Sequence, residues 1–135
     1  MTLPPEWDRP TSPYHRGERA LHARLQRSER QEWIGRRMCR SWMPDPHREF
    51  FRQLPFLVVG SVDETGRPWA SMLFGRPGFA ASPAPSRLEI HARPLLGDPL
   101  RAHLTEGAPV GLLGIEPATR RRNRVNGLVS RLAPS

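Results

Sequence analysis

Lysine is missing altogether from this sequence: all 21 of its Lys and Arg positions are arginine. That absence excludes Schiff-base chemistry and a phosphate-loop lysine. Cysteine is down to Cys39, which leaves neither an intrachain disulfide framework nor a cysteine-based metal site. No stretch approaches the roughly 18 apolar residues of a membrane span, and no charged-then-apolar signal segment opens the chain. A cytoplasmic location and no membrane contact are the expectation. Hydrophobic residues are scarce at 37%, so part of the chain is not expected to pack. What it has in excess is proline, 16 residues, more than twice the usual share of about 5%. The length of 135 residues suits one domain with a core of its own. A net charge of +8 suits an anionic partner. A GC-rich coding sequence would produce the same all-arginine composition.

The organising stretch is 54–79. Phe56, Leu57, Val58 and Val59 are consecutive apolar residues between Pro55 and Gly60, which reads as a short strand buried on both faces. Asp63-Glu64-Thr65-Gly66 is turn chemistry. Residues 68–74 then alternate, with Trp69, Ser71 and Leu73 on one face and Ala70, Met72 and Phe74 on the other. The two runs predict an antiparallel hairpin with a loop of four or five residues.

Around it, Pro4, Pro5, Pro10 and Pro13 make residues 1–15 a mobile arm. Residues 16–53 are helical. Leu21 and Leu25 are an i,i+4 pair, Ile34, Met38 and Trp42 continue at four-residue steps, and Gly35 marks a break or bend. Asp45-Pro46 is an N-cap and first-position proline, opening a helix that turns Phe50, Phe51 and Leu54 to the core. His47 in that first turn fits a surface position better than a catalytic base. Residues 80–86, rich in Ser and Pro, read as a surface loop. Residues 88–92 form a third strand, Asp98-Pro99 opens a short helix over 100–104, and 110–115 make a buried fourth strand. In that strand Gly111 and Gly114 mark close backbone approach or a bulge. Residues 124–129 alternate as a fifth strand, with Arg124, Asn126 and Leu128 facing one way.

Three segments in this order resemble the pyridoxamine-phosphate-oxidase-like flavoproteins, whose fold is the FMN-binding split barrel. FLVVGSVDETGRPWASML is similar to the family's opening hairpin. LEIHARPLLGDPLRAHL is similar to its third strand, Arg-Pro turn and short helix. VGLLGIEP leading to RVNG is similar to a later strand pair. The helix before the hairpin and the YHRGER segment resemble a subgroup in which the barrel precedes a ferredoxin-reductase-like module. The resemblance covers roughly residues 14–130. It implies a mainly β fold with helices (α+β), an antiparallel split barrel over 54–130 preceded by an N-terminal helix, and a tail at 131–135. The family's barrel has six strands, so five leave this one incomplete at its C-terminal end.

The resemblance further implies FMN as cofactor, a homodimer with the flavin at the subunit interface, a small-molecule substrate and an electron-transfer reductase partner. Carried over residue by residue, it puts Arg93 at the phosphate, with the helix start at Leu100 assisting. It lines the flavin with Trp69, Ala70, Ser71 and Met72, and brings Arg124 and Asn126 to the cofactor or the dimer partner. The residues themselves present no nucleophile–base constellation, paired carboxylates or metal-spaced His/Cys cluster. If the protein is an enzyme, it is an FMN-dependent oxidoreductase in which the cofactor performs the redox step. The alternative is a non-catalytic basic module that binds nucleic acid or another protein. Trp42 and Trp69 do not interleave with the arginines as a single-strand binder requires, which favours the flavin reading.

Overall fold

The computed structural model describes residues 7–131. The chain divides into two compact units, Met1–Met43 and Pro44–Ser135. Residues 1–6 of the expected arm and 132–135 of the expected tail lie outside the described residues.

In the first unit, α1 (Arg16–Arg24) and α2 (Ser28–Met38) replace one long helix. The break falls at residues 25–27, where Gln26 takes φ 53, and not at Gly35. Gly35 stays helical and buried because a side chain there would collide with Tyr14 and Pro13. Residues 7–15 are not a free arm. Arg36 donates to the Arg9 and Pro10 carbonyls at 3.3 Å each, and the Ser12 hydroxyl donates to Glu32. That bond, with Arg36 beside it, holds the Glu32 carboxyl below its usual range. His15 and Glu18 cap α1 reciprocally.

The second unit is α+β. Helix α3 (Asp45–Arg52) is followed by β1 (Phe56–Val62), β2 (Pro68–Phe74), β3 (Ala80–Ala84), β4 (Arg87–Ile90), α4 (Leu100–His103), β5 (Pro109–Glu116) and β6 (Arg121–Leu128). The expected hairpin is present, with β1 and β2 antiparallel in register from Phe56↔Phe74 to Val62↔Pro68. One antiparallel sheet has the order β2-β1-β5-β6, and β3-β4 form a separate ribbon. There are six strands rather than five, and the described residues form no closed barrel. The extra strand is β3, in the stretch expected to be a loop. Tertiary contacts outweigh its composition: Phe79 and Ala80 are buried, and Arg48 of α3 donates to the Ser82 hydroxyl and carbonyl at 3.0 and 2.8 Å. Pro83 is accommodated where the β3-β4 register slips between Ala81 and Ala84. Asp45 begins α3, and its carboxylate pairs with Arg48 at 3.1 Å instead of capping the helix.

The core lies on one side of the large sheet. Phe50, Phe51 and Leu54 are buried with Leu57, Val59, Leu73, Leu100 and Leu112. Gly114 sits under Leu54 and Phe51, each of which a Cβ would meet at 2.8 Å, while Arg121 lies over the Phe50 ring at 4.8 Å. The expectation that β1 is buried on both faces is corrected: Leu57, Val59 and Ser61 are buried, but Phe56 and Val58 are half-buried and Val62 is exposed. The sheet has a covered face and an open one, and the strand alternation decides which side chains belong to each.

Candidate functional site: the open face of the sheet

On the covered face, the far end of the hairpin is held by polar bonds. Ser71 donates to Asp98 at 2.7 Å, and the Leu100 N–H donates to the same carboxylate oxygen at 2.8 Å. Ser61 shares a hydrogen bond with His103 Nδ1 at 2.8 Å, and the His103 ring stands 6.4 Å from that of Trp69. The Trp69 indole N–H donates to Asp63 at 3.1 Å. Asp63 also accepts from the Thr65 and Arg67 amides, the Thr65 hydroxyl and the Arg67 guanidinium. These bonds, the Arg67 amide first, push its carboxyl well below the ordinary carboxylate range. Ser61 and His103 are a hydroxyl–imidazole pair that sequence spacing does not reveal, being 42 positions apart. Ser61 is only 4% exposed, so the pair anchors α4 to β1 and offers no accessible nucleophile.

The open face has a different chemistry. Registers place Met72, Val58, Leu113 and Arg124 in one row across the four strands, and Ala70, Gly60, Gly111 and Asn126 in the next. Pro68 and Val62, with Pro109 and Leu128, form the row beyond. The middle row therefore carries no side chain larger than a methyl until Asn126. It is a trough spanning three strand intervals of about 4.8 Å, between apolar rows some 13–14 Å apart along the strands. A Cβ at Gly60 would meet only the Gly111 carbonyl oxygen, at 3.7 Å, and one at Gly111 would meet Asn126 Oδ1 at 3.3 Å. At one end stand Arg122 and Arg124, exposed and with no ion pair or hydrogen bond from their side chains to the described residues. Next to the Met72 row, Phe56 and Phe74 face each other with ring centroids 6.5 Å apart, and Phe74 is half exposed.

The eight residues carried over from the resemblance are thus divided. Ala70, Met72, Arg124 and Asn126 share the open face. Trp69 and Ser71 point to the covered face, each bonded to an aspartate, and Leu100 is fully buried with its N–H taken. A four-residue helix whose first N–H is engaged by Asp98 leaves Leu100 to the core and gives an anion little to hold. Arg93 is exposed in the segment between β4 and α4, and its side chain has no partner among the described residues. Sequence reasoning missed Gly60 and Arg122. Their signal is positional, since Gly60 is opposite Gly111 only once the β1-β5 register is known.

Two shallow surface depressions, one lined by Glu49, Arg52, Gln53, Pro77 and Gly78 and one by residues 26–30, include none of these groups. Among the described residues no cluster of three or more His, Cys, Asp and Glu is placed to hold a metal ion, and no helix is long and apolar enough to cross a membrane. No family model, curated protein or solved structure matches the chain.

Proposed function

We propose that this chain is a flavin-binding module of the split-barrel kind, and that flavin mononucleotide lies on the open face of its large sheet with the ring in the trough over Gly60. The cradle itself carries the reading. Glycine inside a strand costs stability, yet a Cβ at Gly60 would be in ordinary contact at 3.7 Å. The fold has no need of a bare position there, whereas a flat ring lying on the sheet does. Met72, Val58 and Leu113 offer it an apolar wall. Asn126 supplies a donor and an acceptor for the ring edge. Arg122 and Arg124, whose side chains have no partner among the described residues, suit a phosphate dianion as planar forks. Bound there, the flavin would supply the redox chemistry of an FMN-dependent oxidoreductase. The residues of this chain bind the ring, orient its edge, hold the phosphate and exclude water from one side. A ring on an open sheet has only that one side covered, so the reading includes a homodimer whose second copy covers the other.

Titration of flavin fluorescence at two salt concentrations tests it, with circular dichroism as the check on folding. Gly60→Leu, which fills the trough, is expected to abolish binding. Arg124→Gln is expected to weaken it ten- to a hundredfold, or about 1.5–3 kcal/mol for a charge-assisted bond. Arg93→Ala shows whether that arginine shares the phosphate, and Arg76→Gln is the surface control. Binding that survives Gly60→Leu would reject the site. The second reading, a basic module, gains support from Phe56 and Phe74 sharing a face with Arg122 and Arg124. It forecasts strong salt dependence and equal losses for every arginine removed.

A further inference from the structure

The first unit has almost no interior. Helix α1 buries no residue and α2 buries only Gly35. Leu21 of α1 and Leu25, the residue that caps its C-terminal end, are both more than half exposed, and so are Trp33 and Met38 of α2. Three of the four tryptophans lie in this unit, each beside its own arginine. Arg9 stands over Trp7 at 5.4 Å, Arg37 over Trp33 at 4.7 Å and Arg40 over Trp42 at 6.0 Å. Arg36 binds the Arg9 carbonyl and the Ser41 hydroxyl reaches Asp8 at 3.5 Å, which holds the residues next to Trp7 against the end of α2 and the segment leading to Trp42. Residues 7–43 carry nine arginines against four carboxylates. The side chains of Arg16, Arg24, Arg27 and Arg30 have no partner among the described residues.

We propose that this unit is a peripheral docking surface for an anionic lipid bilayer. The charge excess disfavours a second copy of the same unit and calls for a polyanion. Between polyanions, the apolar side chains decide. Leu21, Leu25 and Met38 offer bare hydrocarbon, which a sugar-phosphate chain cannot use but the headgroup–acyl boundary can, to a depth of about 5–10 Å. The indoles belong at that same level, apolar in body and polar at one edge. Each already has a guanidinium over its ring, which suits a lipid phosphate above the indole better than a stacked base. Among the described residues no helix is long and apolar enough to cross a bilayer, so the unit would lie on the surface.

The test is co-sedimentation of the full 135-residue chain with vesicles of phosphatidylcholine alone or of equal parts phosphatidylcholine and phosphatidylglycerol, with no flavin present. Binding is expected to the mixed vesicles only, to weaken in high salt, and to be accompanied by a blue shift of tryptophan emission. Arg37→Gln should weaken it about fivefold, the share of one basic residue near a charged surface, and Trp33→Ala by a similar factor or more. Arg76→Gln in the other unit should change nothing. Both Arg37 and Trp33 side chains are exposed, so these variants are expected to fold, with circular dichroism as the check. Equal binding to both vesicles, binding to neither, or equal losses for Arg37→Gln and Arg76→Gln would each overturn the proposal. So would tighter binding of a single-stranded oligonucleotide that displaces the vesicles. Flavin titration is unaffected by any of these results, so the two readings fail separately.

Discussion

A methyl group added at Gly114 would meet Leu54 and Phe51 at 2.8 Å, whereas one added at Gly60 meets a single carbonyl oxygen at 3.7 Å. Gly114→Ala is therefore expected to destabilise the fold by about 1–3 kcal/mol through overpacking. Gly60→Ala should be neutral or stabilising by up to about 1 kcal/mol. Urea denaturation of the two variants measures both. Asp63 gives a pH prediction. Its carboxyl is depressed in the folded state, so the stability it contributes is complete above the unfolded carboxylate value of about 4 and is lost as pH falls below that. Carboxyl titration by NMR should find Asp63 charged where exposed carboxylates have protonated, and Asp63→Asn should flatten the acid limb of the stability curve. Glu32 adds to that limb with the same sign. The turn itself was legible in Asp63-Glu64-Thr65-Gly66; the bond from Asp63 to the Trp69 indole was not. Nothing in the spacing says that the carboxylate reaches past the turn to the next strand.

Among the elements, those written by local pattern were readable: the hairpin, α3 with its buried Phe50 and Phe51, the short α4 and the outward face of β6. The misreadings occur where tertiary contact outweighs local preference. The Ser- and Pro-rich β3 is a strand because Arg48 and the buried Ala80 hold it. Gly35, a helix breaker by propensity, lies inside α2 because Tyr14 and Pro13 occupy the space of its missing side chain. Gly35→Ala should gain the propensity of alanine, about 1 kcal/mol, and still lose the packing of residues 7–15. Limited digestion with an arginine-specific protease should then cut at Arg16 before any site in the second unit; unchanged protection there would argue against this packing. Likewise the division of the candidate site between two faces follows from strand alternation, which the sequence does reveal. Which face is covered depends on α3 and α4, which it does not.

For the whole molecule, the open face is the dominant fact. Val62, Met72, Phe74 and Leu128 are exposed on it, an apolar area of the kind that single soluble chains rarely leave uncovered. The proposed homodimer should sediment above monomer mass at tens of micromolar, on the order used for weak interfaces. Phe74→Lys should return it to monomer while leaving α3 and its core intact. The sheet also ends in two strands, β2 and β6, whose outer edges pair with nothing among the described residues. Pro68 interrupts the first, and Arg122 and Arg124 line the second. Two β6 edges brought together would set like charges about 5 Å apart. That repulsion operates in dilute buffer, where screening extends to roughly 10 Å at 0.1 M salt, and fades near 1 M, where it shrinks to about 3 Å. Colloidal behaviour should thus run opposite to ordinary salting-in. The protein is expected to stay clear in low-ionic-strength storage and to gel or form ribbons as salt is added, with turbidity rising along the salt axis.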